Sequence, residues 1–235
     1  MKVLGIDTST SSGGVGLVED EETICEYLLN IPVTHSERLL GVIDFVLREA
    51  RCRIEQVEGW VIVLGPGSFT GLRIGVSTVK GLAFATGKPV AGISTLDVLA
   101  SQIAPTSYLI CPILDARKKE VYTGFYRYQG VSPTRQSEYQ AISPEDLVSQ
   151  IKEQTVFVGD GVRPYGDFLR NRLGSFAIFP SPPFHFSHGS MVARLGMDLL
   201  KKGEILNLSA FSPLYIRPSE AEMKWQETHS GQIRI

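Results

Sequence analysis

Segment 65–75 of the chain, GPGSFTGLRIG, combines four glycines and a proline with side chains that could contact a ligand. It follows the apolar run WVIVL and precedes a weakly polar stretch, so we expect it to connect a strand to a helix. Amides at the start of a helix are unpaired and carry the positive end of the helix dipole, which suits an anion. Three roles are open for this turn: holding a phosphate, presenting a nucleophile, or letting two elements pack closely.

The glycine turn departs from the known phosphate and nucleophile motifs. A Walker loop reads G-x-x-x-x-G-K-[ST], but Gly65 and Gly71 are one residue too far apart and Leu72 replaces the lysine. The dinucleotide fingerprint is also missing. A nucleophile elbow reads G-x-S-x-G, whereas Ser68 directly follows Gly67. We therefore predict a tight structural turn, with Gly65, Gly67 and Ser68 as candidates for a secondary nucleotide or anion contact.

Asp7 is the fourth candidate for a nucleotide contact, because it ends the first predicted strand and is followed by Thr8 and Ser9. A carboxylate in this place could hold a hydrated magnesium ion while the glycine turn approaches a phosphate. The alternative is that Asp7 stabilises its own turn by bonding the backbone. Asp115 and Asp160 have the same two interpretations, and for both we favour the turn.

The remaining polar residues predict no metal site. His185 and His188 lie three residues apart in a proline-rich loop, without a nearby cysteine or carboxylate. The three cysteines are far apart and odd in number, which argues against a disulfide framework and a zinc knuckle, so we expect buried thiols. The basic run 117–119 falls at a predicted hairpin turn, where solvated charge is expected and phosphate contact is the alternative.

The composition is that of a globular protein. The chain has 235 residues, 43% of them hydrophobic, which is enough for a sizeable core. Its net charge of −2 gives no overall attraction to polyanions, so a nucleic acid would need a local basic patch or a partner, and tRNA binding by this chain alone is disfavoured. The start, MKVLGIDTS, alternates like a strand, and no apolar run reaches the ~18 residues of a membrane span. These features favour the cytoplasm and no membrane contact.

The elements around the candidates form two similar halves. Each half opens with a strand that ends in aspartate, LGID and LICPILD, followed by a turn and a returning strand. This echo predicts two related α/β domains, residues 1–105 and residues 106–235. In the first domain, a capping box at 34–37 predicts a helix over 35–50, and Gly87 ends a second helix over 70–86.

These two helices are apolar over more than one side. Residues 39–47 hold seven apolar side chains, more than a single stripe facing one core requires. We therefore expect one face to contact a partner; burial of both helices in a three-layer core is the alternative. The residues predicted at the interface are Leu39, Ile43, Val46, Ile74 and Val79.

Taken together, the motifs resemble the TsaB (YeaZ) family, bacterial proteins needed to make threonylcarbamoyladenosine beside the anticodon of tRNA. The resemblance extends over nearly the whole chain. The matching segments are LGIDTS at 4–9, HSERLL at 35–40, GPGSFTGLRIGVSTVKGLA at 65–83, LDARKKEVY at 114–122, GDG at 159–161 and PLYIRPSEA at 213–221.

The resemblance implies an actin-like, sugar-kinase-like (ASKHA) fold and a division of labour. The related TsaD subunit holds a metal and transfers the threonylcarbamoyl group, a small ATPase, TsaE, regulates the assembly, and TsaB is required without being the catalyst. In TsaD relatives two histidines four residues apart ligate the metal, whereas Thr95 and Leu99 occupy these positions here. Leucine offers no lone pair and threonine only a weak hydroxyl ligand, so we expect no metal and no catalytic residue.

The resemblance also assigns a partner to the apolar helices. In the family, the equivalents of 35–50 and 70–86 form a bundle with TsaD, or with a second TsaB when TsaD is absent. No resident cofactor is expected, apart from ATP or ADP with magnesium at the junction of the two proteins. The alternative is an ASKHA-type kinase or ATPase that uses Asp7 and the turn 65–71. A metallopeptidase is disfavoured because the histidine pair is missing.

Overall fold

Two β-sheets organise the chain in the computed structural model, which describes residues 1–30 and 38–217. The first sheet has the strand order β3-β2-β1-β4-β5. Its strands are β1 Lys2–Asp7, β2 Ser12–Glu19, β3 Glu22–Asn30, β4 Gly59–Gly65 and β5 Val90–Ser94. The predicted hairpin is confirmed, because β1 and β2 pair antiparallel with Asp7 opposite Gly14. β4 runs parallel to both β1 and β5.

Both faces of this sheet are covered by helices. On one face α1 (Leu39–Glu49) and α2 (Phe69–Thr86) pack over Leu4, Ile6 and Ile62. On the other face α6 (Gly189–Lys201) packs over the alternate residues Val3, Val61 and Val63. The result is a three-layer α/β core around the strands that lead to the candidate site.

The boundaries of α2 follow its local signals. Its first turn is capped by the Ser68 hydroxyl, which accepts a hydrogen bond from the Gly71 amide at 3.3 Å. Gly87 ends the helix in the left-handed conformation at φ 68°, as predicted. α1 begins at Leu39 in the described part of the chain, whereas the predicted capping box at 34–37 lies outside the described residues.

The second sheet has the order β10-β7-β6-β11-β12, with β8 paired to both β6 and β9. Its strands are β6 Leu109–Asp115, β7 Val121–Thr123, β8 Tyr126–Gln129, β9 Ser132–Arg135, β10 Gln140–Ile142, β11 Thr155–Val158 and β12 Ala177–Ile178. The remaining helices are α3 Thr95–Ser101, α4 Pro144–Gln150 and α5 Val162–Leu173. The single returning strand predicted after LICPILD is divided, since β7 pairs with Ile113–Asp115 while β8 pairs with Ile110 and β9.

The last helix connects the two halves of the sequence, since α6 lies on the first sheet. The contact is close because two glycines face it: a Cβ atom at Gly5 would lie 2.3 Å from the Gly189 oxygen, and one at Gly16 would lie 2.2 Å from the Ser190 nitrogen. The domain division at residue 105 stays a prediction. Among the helices of the described residues, none has the length and apolar character needed to cross a membrane.

Candidate functional site

The glycine turn between β4 and α2 packs tightly on the loop that follows β1. A Cβ atom at Gly67 would lie 2.1 Å from the Ser9 carbonyl oxygen, and the Ser68 amide donates to that same oxygen at 2.6 Å. Gly65 adopts a φ of 119°, a conformation that favours glycine. Of the three roles that the sequence left open, close packing is therefore the one that these contacts display.

Asp7 lies at the end of β1 beneath this turn and is 1% exposed. Its Oδ1 atom accepts a hydrogen bond from the Ser9 amide at 2.6 Å. This is the self-bonding turn that aspartate forms when it stabilises its own loop. The packing thus orders residues 8–9 against the glycine turn and fixes where α2 begins.

A cleft of about 720 Å³ opens beside the turn and has walls from both halves of the sequence. Gly67 and Ser68 line it on one side, and Asp115 and Asp160 line it on the other. Only two of the four residues predicted to contact a nucleotide therefore lie at the cleft, because Asp7 and Gly65 are not among the described residues that line it. A nucleotide contact by any of these four residues stays a prediction.

The two carboxylates on the far side of the cleft hold turns, as the sequence indicated. The Asp160 Oδ1 atom accepts from the Asp115 amide at 3.1 Å, and the Asp115 Oδ1 atom accepts from the Arg117 amide at 2.9 Å. Burial raises the pKa of Asp160 to about 6; the Asp115 N–H opposes this shift, whereas the charge of Asp115 adds to it. At neutral pH this buried carboxylate is thus ionised at a cost to the folded state.

The β6–β7 turn presents cations in an unusual backbone conformation. Arg117, Lys118 and Lys119 have φ values of 61°, 51° and 61°, so three successive non-glycine residues are left-handed. Arg117 is largely exposed, and its guanidinium lies 3.3 Å from the Asp115 carboxylate. The first residue of the run is therefore a solvated cation paired within its own turn.

Segment 214–217 forms another wall of the cleft, which sequence reasoning missed. It belongs to the quoted motif PLYIRPSEA but follows no periodic pattern. The only available signal was an aromatic and a cationic side chain, Tyr215 and Arg217, in an otherwise irregular stretch.

The positions compared with the TsaD histidines carry other contacts. Thr95 is buried, and its hydroxyl donates to the Pro66 carbonyl at 2.7 Å. Leu99 is 1% exposed in an apolar cluster with Leu96 and Ile110. The part of the chain that the structure describes contains no group of three or more His, Cys, Asp and Glu residues that could hold a metal.

The three cysteines are wholly or partly buried, and the two histidines of the proline-rich loop make hydrogen bonds to other parts of the fold. Cys52 and Cys111 are buried and Cys25 is half-buried, and burial raises the pKa of Cys111 to about 12. His185 accepts from the Gly159 amide at 3.3 Å through Nδ1, and His188 contacts Glu26 at 3.0 Å. The two histidines of the loop thus attach it to different elements of the fold.

Four of the five predicted interface residues lie in the core of the chain, and their role at an interface stays a prediction. Leu39, Ile43, Val46 and Val79 are at most 6% exposed and belong to the core beneath α1 and α2; the fifth, Ile74, is half-buried. The apolar side chains that these helices expose are others: Leu40 at 61%, Phe45 at 44% and Phe84 at 83%. This second set is the one that these helices present to a partner most openly.

Several known proteins are similar to this chain in sequence. A family model described as "TsaD: tRNA N6-adenosine threonylcarbamoyltransferase" matches residues 32–225. A protein from Bacillus subtilis (strain 168) is 31% identical, over 97% of this chain and 99% of the relative. One from Escherichia coli (strain K12) is 29% identical, over 95% of this chain and 98% of the relative. Both relatives are named tRNA threonylcarbamoyladenosine biosynthesis protein TsaB.

Solved structures confirm the predicted actin-like, sugar-kinase-like α/β fold. YeaZ from Pseudomonas aeruginosa superposes with a TM-score of 0.78 at 27% identity, over 92% of this chain and 99% of that one. The ADPNP-bound activator of 2-hydroxyisocaproyl-CoA dehydratase from Clostridium difficile gives a TM-score of 0.56 at 13% identity, over 89% of this chain and all of that one, which shows the fold alone. With full-length relatives that share one name and a family model spanning most of its length, the chain belongs to the TsaB (YeaZ) family.

Proposed function

We propose that this chain takes part in making threonylcarbamoyladenosine in tRNA as a subunit that binds a TsaD-type transferase and has no transferase activity itself. A TsaE-type ATPase would act on the same assembly. The name shared by the full-length relatives supports the pathway. The observation that carries the binding role is the outer side of α1 and α2, which we call the α1–α2 face: Leu40, Gly41, Phe45, Ser77, Gly81 and Phe84.

The α1–α2 face exposes apolar side chains on a rigid support. Leu40, Phe45 and Phe84 are all more than two-fifths exposed, although their helices are anchored to the sheet by a full set of buried residues. The two helices pack on the same side of the sheet and contact each other. Aromatic and aliphatic side chains that two adjacent helices expose in this way favour a protein-binding surface.

Two glycines of this face have no role in the packing of the chain itself. A Cβ atom at Gly41 or Gly81 would meet nothing within 4 Å, unlike one at Gly71 or Gly75 of the same region. A glycine inside an exposed helix costs about 1 kcal/mol relative to alanine. What such a glycine offers is bare backbone that another element can approach closely. This favours a helix of a partner, or of a second copy of the chain when the transferase is absent.

The assignment of the chemistry to the partner rests on Thr95 and Leu99. The Thr95 hydroxyl is committed to Pro66, and Leu99 is packed in an apolar cluster. Neither side chain is a good ligand for a catalytic metal. These contacts support a division in which the metal and the transfer step belong to the TsaD-type subunit.

Association of the Gly81→Gln variant with a TsaD-type subunit tests the proposed binding. Glutamine is the better helix former, so the variant should unfold at the same or a higher temperature than the wild type. Its side chain would nevertheless block close approach, and we expect at least a tenfold weaker complex by sedimentation or calorimetry. Asn171→Gln on the exposed side of α5 is the control. Wild-type affinity of the Gly81→Gln variant would overturn the assigned surface.

The second candidate is a nucleotide-dependent kinase or ATPase of the same fold. The 720 Å³ cleft lined by Gly67 and Ser68 favours it, and a protein of similar fold is known with bound ADPNP. Calorimetric titration with ATP and magnesium distinguishes the two functions. Submillimolar binding with turnover by the chain alone would favour the kinase, and binding only in the presence of the transferase would place the nucleotide at their junction.

A further inference from the structure

Segment 211–217 runs from the first sheet across the cleft to the second. Phe211 anchors its start, since its ring is 8% exposed in the core beneath α2 and the Lys80 ammonium lies 4.6 Å from the ring centre. The Leu214 amide then donates to the Leu64 carbonyl at the end of β4, at 2.7 Å. The path of the segment up to this point is fixed by the first half of the chain.

Tyr215 holds the segment to the beginning of α2. Its ring stacks on Phe69 with 5.0 Å between the ring centres, and its hydroxyl accepts a hydrogen bond from Arg73 Nε at 3.1 Å. The Arg73 guanidinium also lies 3.8 Å from the centre of the Phe69 ring. Tyr215 therefore joins a small cluster built on the first two turns of α2.

Arg217 holds the segment to the opposite wall, two residues further on. Its guanidinium pairs with the Glu120 carboxylate, and its Nη2 atom donates to the Ala116 carbonyl at 3.2 Å. Both contacts lie on the turn between β6 and β7. The side chains that hold the segment to the two walls are partly exposed: Tyr215 is 37% exposed on one wall, and the side chains of Arg217 and Glu120 are 21% and 35% exposed on the other. Such a segment can detach without opening a core.

We propose that residues 214–217 are a releasable strap that couples the start of α2 to the β6–β7 turn and so sets the opening of the cleft. Because the cluster at Tyr215 and the ion pair at Arg217 are separated by one residue, loss of either grip frees the other. This device is independent of the partner proposed above, since it concerns the chain alone.

Hydrogen–deuterium exchange of the full chain tests the coupling. In Tyr215→Ala, exchange in residues 116–121 should become at least threefold faster, although Tyr215 makes none of the contacts of Arg217 on that turn. Conversely, Arg217→Gln and Glu120→Gln should speed exchange of the Leu214 amide by at least threefold. The matched control is Arg127→Gln, which removes the Arg127–Glu153 ion pair in the same half without touching the strap.

A second variant of Tyr215 covers the case in which Tyr215→Ala folds poorly. Tyr215→Phe removes only the hydroxyl bonded to Arg73. It should speed exchange in residues 116–121 by less than Tyr215→Ala does. If Tyr215 variants leave residues 116–121 within the range of the control while Arg217 variants leave Leu214 unchanged, the two grips are independent local contacts and the strap is refuted.

Discussion

Gly71 of α2 lies directly against Thr8 of the loop after β1. The Thr8 hydroxyl donates to the Gly71 carbonyl at 2.7 Å, and a Cβ atom at residue 71 would lie 2.0 Å from the Thr8 carbonyl oxygen. Because the nearest atom belongs to the Thr8 backbone, it cannot move aside as the end of a flexible side chain could. This tight contact between the first turn of α2 and the loop after β1 fixes the position of α2 on the sheet.

Gly71→Ala should therefore destabilise the chain by about 1–3 kcal/mol or more, the range for overpacked cores. Gly81→Ala in the same helix should stabilise it by up to about 1 kcal/mol, since the added methyl meets nothing and helix propensity improves. Denaturant unfolding of both variants compares the same substitution in two environments. Equal effects of the two substitutions on stability would contradict the tight contact between Gly71 and Thr8.

Ile43→Arg should impair the stability of the chain, whereas Leu40→Arg should impair its association with a partner. Ile43 is 3% exposed, so an arginine there would place an unpaired charge in the core and cost several kcal/mol of stability. Leu40 is 61% exposed, so its variant should fold like the wild type but associate poorly with a partner. Circular dichroism melts and sedimentation separate the two losses. A folded Ile43→Arg that fails only in association would restore the original sequence-based interface.

Asp160→Asn should raise the stability of the chain above neutral pH. The pKa of Asp160 is raised to about 6 from a value of 3.8, so its contribution to stability is present at low pH and is lost as the pH rises through 6. Asparagine can still accept the hydrogen bond from the Asp115 amide. We expect a gain of roughly 2–3 kcal/mol near pH 7.5 that disappears below the unfolded pKa of 3.8. A pH-independent difference between the proteins would contradict this origin.

His188→Gln should weaken the fold more in mild acid than in base. The hydrogen bond to Glu26 raises the pKa of His188. Burial acts to raise the pKa of Glu26, but hydrogen bonds from His188 and the Ser190 amide outweigh it, so the pKa of Glu26 is lowered overall. The contribution of His188 to folding stability is complete below pH 6.5 and is lost as the pH rises through its folded pKa. The contribution of Glu26 to stability is present above pH 4.5 and is lost as the pH falls through its folded pKa.

The pair should thus be strongest between these two values, and the variant should lose about 1 kcal/mol near pH 5.5. The loss should fall toward zero near pH 9. Comparing variant and wild type at each pH cancels His185, whose pKa burial lowers and whose effect has the opposite sign. A larger loss at pH 9 than at pH 5.5 would refute the assigned charge pair.

Local signals predicted the elements around the site well, because capping and turn chemistry act over a few residues. Gly87 ends α2 and β6 ends at Asp115, as the sequence indicated. Each of these signals depends only on neighbours in the chain.

The orientation of α1 was not accessible in this way. Val42 and Phe45 are as apolar as Ile43 and Val46, so helical periodicity could not decide which pair faces the sheet. The strap is a second example: Tyr215 and Phe69 are joined by an unpatterned contact between distant segments. Such relationships are set by tertiary packing, which a periodic pattern does not encode.

The central claim is tested most directly by reconstituting threonylcarbamoyl transfer to tRNA. The TsaD-type transferase and the TsaE-type ATPase are assayed with and without this chain, and the chain is assayed without the transferase. We predict product only when the chain and the transferase are both present, and a strong reduction with Gly81→Gln. Product formed by this chain without the transferase would contradict the proposed division of labour.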